Sequence, residues 1–301
     1  MTPPPQAPGR PMWRSMLFVP VIVEKFVDAA HRRGADAIIL DLEDSVPESQ
    51  KERGRGLIQD AAAKVSRGGA DVTVRINRPW RQTLRDLEAA VSPRVRALLC
   101  PKIDSADHVR LISEVVADLE SERGMAVGST FLVPMIETAD AFFRIHDIAR
   151  ADPRIIAINL GAEDFALSVG MLPEAEGLFY PKQHLIIAAR AAGVMPLGFI
   201  GTVADFKDLD AFRLTIQRSR RLGFMGASVI HPSQIQILNE EFRPTREEVA
   251  QAGKIVAAYE KSTAEGIGAI VVDGKMIDVP IVVRAQQTLA REAAIAAREP
   301  R

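Results

Sequence analysis

The feature that most limits the fold of this chain is a regular alternation of short apolar runs with longer segments of helical spacing. We predict eight strands, at residues 15–20, 37–41, 71–76, 95–100, 131–136, 155–160, 195–200 and 227–230. Strands joined by helices pair in parallel, because each helix returns the chain to the same edge of the sheet. Eight such units predict a closed (β/α)8 TIM barrel, an α/β fold, over residues 13–242. An open doubly wound sheet is the alternative, although no Gly-rich dinucleotide fingerprint follows any of the runs.

Helical segments separate the runs and continue beyond the barrel. Apolar spacing predicts helices at 24–33, 52–65, 84–90, 104–122, 139–149, 181–192 and 208–222. We expect a loop between Asp164 and the helix at 181–192. Residues 243–301 form a small C-terminal extension, with a helix at 247–264, a hairpin at an Asp273-Gly274 turn and a final helix at 279–298. This extension is long enough to cap the active site of its own barrel or of a neighbouring one.

Composition excludes several classes of protein. The chain is 47% hydrophobic and 26% charged with a net charge near −1, which favours neither nucleic acid nor an anionic membrane as a partner. No apolar run approaches the roughly 18 residues that span a bilayer. The single cysteine, Cys100, excludes a disulfide framework and fits a cytoplasmic protein, and we interpret it as a buried structural thiol. Residues 1–12 are rich in proline and lack an apolar core, so we expect a disordered leader rather than a secretion signal.

Carboxylates follow two successive strands at the centre of the chain. Glu137 follows the run at 131–136, and Glu163 and Asp164 follow the run at 155–160. Because parallel barrels place the carboxyl ends of their strands at one mouth, we expect Glu137 and Asp164 to lie close together. Two such carboxylates repel unless a cation lies between them, and Mg²⁺, or Mn²⁺ in its place, is a suitable cation. The alternative is two acids that stabilise helix N-termini.

Other charged residues follow the remaining strands. Asp41, Glu43 and Asp44 follow the second, and Lys102 follows the fourth. Arg75 lies inside an apolar strand, where arginine requires an anion. It could bind a substrate carboxylate through two parallel hydrogen bonds, or form a structural pair with Asp41.

Two further side chains have both a catalytic and a structural interpretation. Lys102 could form a Schiff base, but we favour an ion pair with Asp41 or Glu43. His231 could be a base, but Pro232 directly after it favours a helix cap.

Seven motifs occur in an order that resembles the citrate lyase β-subunit-like proteins of the HpcH/HpaI aldolase group, close to malyl-CoA and citramalyl-CoA lyases. They are RSMLFVP (14–20), LDLEDSV (40–46), VRIN (74–77), PMIETA (134–139), LGAEDF (160–165), HPSQ (231–234) and GKMIDVP (274–280). The resemblance covers residues 13–292.

The resemblance implies a barrel enzyme that cleaves the C–C bond of a 3-hydroxyacyl thioester of coenzyme A with the help of Mg²⁺. The products would be acetyl-CoA and a 2-keto acid, pyruvate or glyoxylate. It implies that Glu137 and Asp164 hold the metal and that Arg75 is a catalytic residue that binds the keto-acid carboxylate. Asp278 would act in the active site of a neighbouring subunit of a homotrimer or a hexamer built as a dimer of trimers, although it could also be a turn residue.

Further roles are expected for Glu137 and for residues outside the metal pair. Arg14 and Glu137 are expected to contact substrate. Asp41, Glu43, Asp44 and Lys102 are expected to orient the groups that bind metal and substrate.

The sequence departs from the common family pattern at three positions. Val21 replaces a glycine, Gly198 replaces an acidic residue, and Ala227 replaces a lysine. Apart from these departures, three alternatives stay open: a malyl-CoA-type thioesterase that uses the same site, an aldolase that acts on free aldehydes, and an accessory β subunit of a larger citrate lyase.

Overall fold

A computed structural model describes residues 10–202, 207–264 and 270–298 of the chain. The chain divides into two compact units, one that extends to Glu240 and one that begins at Glu241. Of the leader predicted for residues 1–12, residues 1–9 lie outside the described part, and Pro11 is buried.

Eight parallel strands form the first unit, as the alternation of the sequence predicts. They are β1 (Ser15–Pro20), β2 (Ala37–Asp41), β3 (Asp71–Arg75), β4 (Val95–Cys100), β5 (Phe131–Ile136), β6 (Ala157–Leu160), β7 (Met195–Leu197) and β8 (Ala227–Val229). Their order is β7-β6-β5-β4-β3-β2-β1-β8, and β7 meets β8 through a parallel bridge between Leu197 and Gly226. The sheet therefore closes on itself, and the predicted (β/α)8 barrel is confirmed.

Helices follow the strands of the first unit. They are α1 (Glu24–Ala30), α2 (Lys51–Val65), α3 (Trp80–Ala90), α4 (Ala106–Glu122), α5 (Ala139–Phe143), α6 (Ile145–Ala149), α7 (Ala162–Val169), α8 (Ala175–Ala192), α9 (Leu209–Leu222) and α10 (Ile235–Glu241). None of the described helices is long and apolar enough to cross a membrane.

Several local predictions differ from the structure, among them that β7 ends three residues earlier than predicted and α3 begins four residues earlier. The helix predicted at 139–149 is two short helices, because Arg144 leaves helical geometry at a φ of −106°. The loop predicted after Asp164 is wrong, since α7 begins at Ala162 and carries Asp164 in its first turn. Helix α8 begins six residues earlier than predicted, because Pro181 lies inside it rather than at its start.

The apolar core of the barrel fixes the positions of the strand ends. Apolar side chains of successive strands, including Ile39, Leu99 and Val133, are fully buried in one cluster with Trp13. The indole Nε1 of Trp13 donates to the carboxylate of Asp71 at the start of β3, 2.7 Å away. Because close packing holds the strands rigidly, side chains at their carboxyl ends are held at defined positions.

The second unit contains α11 (Arg246–Ala264), β9 (Ile270–Val272), β10 (Lys275–Ile277) and α12 (Val279–Ala296). The two strands pair antiparallel around Asp273 and Gly274, which both have positive φ, so the predicted hairpin is confirmed. Residues 265–269, before the hairpin, lie outside the described part. Arg243 and Glu292 form an ion pair at 2.6 Å within this unit.

Candidate active site

A cavity of about 830 Å³ lies among the ends of the barrel strands. Its walls include Asp41, Arg75, Glu137, Asn159, Asp164 and Lys182. Asp41 and Arg75 end β2 and β3, and Glu137 directly follows β5. Because parallel strands present their carboxyl ends to one edge, residues far apart in sequence meet here.

Glu137 is a deeply buried carboxylate in this cavity. Its side chain is only 2% exposed, and its Oε2 accepts a hydrogen bond from the backbone N–H of Lys102 at 2.6 Å. Burial, and then the negative charges of Glu43 and Asp164, raise its pKa to about 8. The hydrogen bond from the Lys102 N–H and the charge of Lys102 favour the anion but do not offset these effects, so added positive charge would stabilise it further.

Gly161, the residue before α7, determines how closely the backbone can approach Glu137. A Cβ atom at Gly161 would lie 2.4 Å from Oε1 of Glu137 and 2.6 Å from its Cγ. The φ of Gly161 is −71°, an angle open to any residue. Glycine is therefore needed here for space rather than for backbone conformation.

Lys102 contacts both predicted metal ligands, because its backbone N–H donates to Glu137 and its ammonium lies near Asp164. Its ammonium lies 2.9 Å from Oε1 of Glu43 and 3.4 Å from Oδ1 of Asp164. Although burial would lower the pKa of Lys102, the hydrogen bond and charge of Glu43 raise it well above its usual range. The predicted ion pair with Glu43 is confirmed, and a permanently charged lysine is unsuited to Schiff-base formation.

The backbone of Lys102 adopts a left-handed conformation, with a φ of +49°. Left-handed geometry costs a non-glycine residue on the order of 1–2 kcal/mol. The strained residue is the one whose backbone N–H donates to Glu137. The strain is therefore found at the position that orients this carboxylate.

Arg75 is enclosed by carboxylates. Its Nε and Nη2 bind the two oxygens of Asp41 at 2.7 and 2.8 Å, and its Nη1 lies 2.8 Å from Glu43 and 3.2 Å from Asp44. Burial would raise the pKa of Asp41, but hydrogen bonds and the charge of Arg75 lower it. The pairing of Arg75 with Asp41 is thus present. Asp41 occupies the Nε–Nη2 edge of the guanidinium, and Nη1 already contacts Glu43 and Asp44. Binding of a substrate carboxylate by Arg75 stays a prediction.

The residues of the cavity suit a magnesium ion. Among the described residues no group of three or more His, Cys, Asp or Glu side chains is arranged to hold a metal. Mg²⁺ does not need such a group, since it binds one or two carboxylates and completes its shell with water and substrate oxygens. Glu137 and Asp164 supply hard oxygen donors. Burial, and then the charges of Glu43 and Asp164, raise the pKa of Glu137, and a divalent ion would offset the repulsion among these carboxylates.

Arg14 lies away from this cavity. It precedes β1, so it lies at the amino edge of the barrel, opposite the edge that carries Glu137. Its guanidinium forms a buried pair with Asp36, with Nε and Nη2 at 3.0 and 2.9 Å from the two carboxylate oxygens. The structure therefore corrects the expectation that Arg14 contacts substrate, because the motif places it at the wrong end of the strand.

Three other predicted residues have clear local surroundings. His231 accepts a hydrogen bond from the backbone N–H of Ser233 and begins a 3-10 helix, so the predicted cap is confirmed. Cys100 is buried, and burial raises the pKa of its thiol to about 12. Asp278 belongs to the second unit, where its side chain caps the N-terminus of α12.

Lys182 and Asn159 are polar residues of the cavity that the sequence analysis did not single out. Lys182 lies on α8, and Asn159 lies within the apolar run of β6. The signal for Asn159 was a polar residue inside a buried strand. Lys182 carried no signal, since a lysine in an amphipathic helix is normally exposed.

Comparison with known proteins agrees with this geometry. The sequence matches the HpcH/HpaI aldolase/citrate lyase family over residues 14–232, most of the chain. The chain belongs to this family. Members of the family include carbon–carbon lyases, and the chain is an enzyme of that class.

Individual relatives cover almost the whole chain. It is 34% identical to citrate lyase subunit beta of Leuconostoc mesenteroides subsp. cremoris, with 92% of each chain covered. It is also 34% identical to L-malyl-CoA/beta-methylmalyl-CoA lyase of Rhodobacter capsulatus, covering 97% of this chain and 98% of the relative. A crystal structure of CitE from Mycobacterium tuberculosis in complex with magnesium, acetoacetate and coenzyme A is similar, with a TM-score of 0.71 and 29% identity. That match covers 93% of this chain and 97% of the CitE chain.

Proposed function

We propose that this enzyme is a Mg²⁺-dependent lyase that cleaves a 3-hydroxyacyl-CoA such as citramalyl-CoA or malyl-CoA. The products would be acetyl-CoA and a 2-keto acid, pyruvate or glyoxylate. The observation that carries the proposal is Glu137, a carboxylate whose pKa is raised by burial and then by Glu43 and Asp164, in the wall of a cavity of about 830 Å³ that Asp164 also lines. The magnesium in the related CitE complex supports it.

Glu137 and Asp164 would hold the metal, which would supply Lewis-acid stabilisation of charge on the substrate's carbonyl or hydroxyl oxygen. The backbone N–H of Lys102 keeps Glu137 aimed into the cavity. The Lys102 ammonium balances part of the negative charge that remains. These contacts are formed without substrate, so the side chains that make them do not have to reorganise during the reaction.

Arg75 would orient the carboxylate of the keto acid. Its hydrogen bonds and ion pairs leave one N–H of Nη2 without an acceptor in the described part of the chain. We therefore assign it a single hydrogen bond to substrate. Asp41, Glu43 and Asp44 hold the guanidinium in place, and Arg75 also lies over the ring of Phe18, 4.8 Å from the centroid.

Asp278 is our candidate for moving the proton of the substrate hydroxyl, supplied by a neighbouring subunit of a trimer or hexamer. In the cleavage direction it would accept that proton as the thioester enolate leaves. Mixing an Asp278→Ala variant with an Arg75→Ala variant tests this assignment. Restored activity in the mixed oligomers would support delivery between subunits, and its absence under subunit exchange would contradict it.

The decisive experiment combines product analysis with a carboxylate deletion. Purified protein with Mg²⁺ is assayed against malyl-CoA and citramalyl-CoA, and keto acid, acetyl-CoA and free hydroxy-diacid are quantified. We expect keto acid and acetyl-CoA in equal amounts, and a loss of at least about 10³-fold for Asp164→Ala because a metal ligand is removed.

The control variant is Asp140→Ala, which removes an exposed carboxylate from the first turn of the helix after β5. It should retain wild-type activity. A hydroxy-diacid without keto acid would identify a thioesterase instead. No turnover by the isolated protein would favour an accessory subunit, and an Asp164→Ala variant with full activity would refute the metal assignment.

A further inference from the structure

Lys51, the first residue of α2, is a buried cation that holds the turn after β2. Its residue is 8% exposed, and its ammonium donates to the carbonyl oxygens of Leu42 at 2.7 Å and of Glu43 at 2.6 Å. Unlike Arg75 and Lys102, it forms no ion pair with a carboxylate of the described residues. Both of its hydrogen bonds therefore fix the backbone of this one turn.

The turn carries the carboxylate that joins two cations of the site, Arg75 and Lys102. Oε2 of Glu43 lies 2.8 Å from Nη1 of Arg75, and its Oε1 lies 2.9 Å from Nζ of Lys102. Glu43 is itself buried, so its side chain has little room to move. Because this side chain starts from a backbone that Lys51 holds, a shift of the turn would change both contacts together.

Asn77 provides a second contact to the turn, but to Leu42 rather than to Glu43. Its amide donates to the carbonyl oxygen of Leu42 at 3.0 Å. The carbonyl oxygen of Glu43 accepts from the Lys51 ammonium and from the N–H of Val46, which belongs to the same turn. In the described part of the chain, Lys51 is therefore the group outside the turn that holds the carbonyl of Glu43.

The charge of Lys51 also acts on the acids around it. Asp41, Glu43 and Asp44 converge on one guanidinium, that of Arg75. Burial lowers the pKa of Lys51, whereas the charges of Asp41 and of other nearby carboxylates raise it. An ammonium held against the backbone of this turn offsets part of the negative charge of these acids, which a neutral donor could not do.

We propose that Lys51 is a positioning residue of the active site, which acts through the Glu43 side chain to set the spacing of the two cations. The inference rests on the proposed function, in which Arg75 binds a substrate carboxylate and Lys102 supports Glu137. Lys51 does not line the cavity, so it acts without touching substrate. A purely structural lysine, which joins α2 to the barrel without influence on the site, is the competing explanation.

Lys51→Met tests the proposal, because methionine has a similar length but neither charge nor donor. Release of 2-keto acid is measured at saturating Mg²⁺, far below the thermal midpoint of each variant, so that a loss of stability does not affect the rates. We expect kcat/KM to fall by at least about tenfold, since misplacement of a binding group by about 1 Å costs on the order of 100-fold. Lys51→Arg keeps a charged donor that can reach both carbonyls, and its kcat/KM should stay within about threefold of the wild type.

A double-mutant cycle with Glu43→Ala separates the two explanations. That variant removes the side chain that joins the two cations but keeps the carbonyl that accepts from Lys51. If Lys51 acts through this side chain, adding Lys51→Met to Glu43→Ala should lower kcat/KM by less than about twofold while still lowering the thermal midpoint. A purely structural lysine predicts a lower thermal midpoint and no kinetic effect in either background.

Lys64→Met is the matched control, because it makes the same substitution near the other end of α2. Lys64 pairs with acids of α1, and its loss should leave kcat and KM unchanged. A crystal structure of Lys51→Met adds a measurement that does not depend on the reaction. We expect Glu43 to lose its contact with Arg75 or with Lys102 in that structure.

The outcomes distinguish the positioning role from the proposed function. A kcat/KM of Lys51→Met within about threefold of the wild type, an equal loss in the Glu43→Ala background, or unchanged Glu43 contacts in the crystal structure would overturn the positioning role. Release of no keto acid by the wild-type enzyme would overturn the proposed function, and the crystal structure would then decide the positioning role alone. Lys51→Gln, which keeps a neutral donor, replaces Lys51→Met in every measurement if the methionine variant does not fold.

Discussion

Replacement of Gly161 by alanine tests the geometry of the metal site with a single methyl group. The added Cβ would lie 2.4 Å from Oε1 and 2.6 Å from Cγ of Glu137, where an ordinary contact is at least about 3.4 Å. Glu137 must therefore move by about 1 Å. Magnesium tolerates little error, since its oxygen ligands lie at about 2.0–2.1 Å in near-ideal octahedral geometry.

A displacement of this size should damage catalysis far more than folding. Misplacement of a reacting group by about 1 Å costs on the order of 100-fold in rate, or about 2.7 kcal/mol of activation free energy. The backbone angles of Gly161 suit alanine, and the atoms that must yield belong to a side chain. We therefore expect kcat to fall by about 100-fold and Mg²⁺ affinity to weaken, with a thermal midpoint within a few degrees of the wild type.

The assay is release of 2-keto acid during Mg²⁺ titration, together with thermal unfolding. Gly56→Ala is the matched control, because Gly56 lies inside α2 with no atom within 4 Å of the added Cβ. That substitution should stabilise the protein by about 0.5–1 kcal/mol and leave kcat unchanged. A Gly161→Ala enzyme with kcat within about threefold of the wild type and unaltered Mg²⁺ affinity would refute the reasoning.

The remaining predictions concern three charged residues. Arg75→Lys cannot bind both oxygens of Asp41, and we expect the free energy of unfolding in urea to fall by about 2–3 kcal/mol. Lys102→Met removes a cation from beside the metal-site carboxylates, so calorimetry should show Mg²⁺ binding several-fold more tightly while kcat falls. Burial would raise the pKa of Glu120, but Arg154 and backbone N–H groups lower it from 4.5 to about 2. Its ionised form therefore contributes about 3 kcal/mol of stability above pH 4.5, which is lost as the pH falls towards 2, and Glu120→Gln should remove this acid dependence.

Each of these predictions has a result that contradicts it. An unfolding free energy within about 0.5 kcal/mol of the wild type in Arg75→Lys would mean that the buried pair is not stabilising. Weaker Mg²⁺ binding in Lys102→Met would mean that the ammonium orders the site more than it competes with the ion. An acid-unfolding profile of Glu120→Gln that parallels the wild type would mean that other carboxylates govern acid stability.

The barrel architecture could be predicted from the sequence because the alternation of apolar runs and helical segments is periodic and local. Runs of four to six apolar residues separated by helical segments admit few packings, and the strands from Ser15 to Cys100 begin and end at or within one residue of the predicted positions. The places where prediction failed depend on context. Gly161 directly precedes α7 and two acids lie in its first turn, a composition typical of a loop, and the helix is held in the structure by the burial of Phe165.

The residue types of the site were evident from the sequence, but their partners were not. The position of Glu137, Asp164 and Lys102 after strands followed from the alternation alone. The two-oxygen pairing of Arg75 with Asp41 and the placement of Arg14 at the opposite edge depend on which strands are neighbours and on the direction of each strand. The burial of Lys182 depends on the segment after β7 folding over α8, so its lack of a counter-charge is a property of the assembled barrel. Charge pairing and desolvation are set by distances in three dimensions, which the order of residues along the chain does not encode directly.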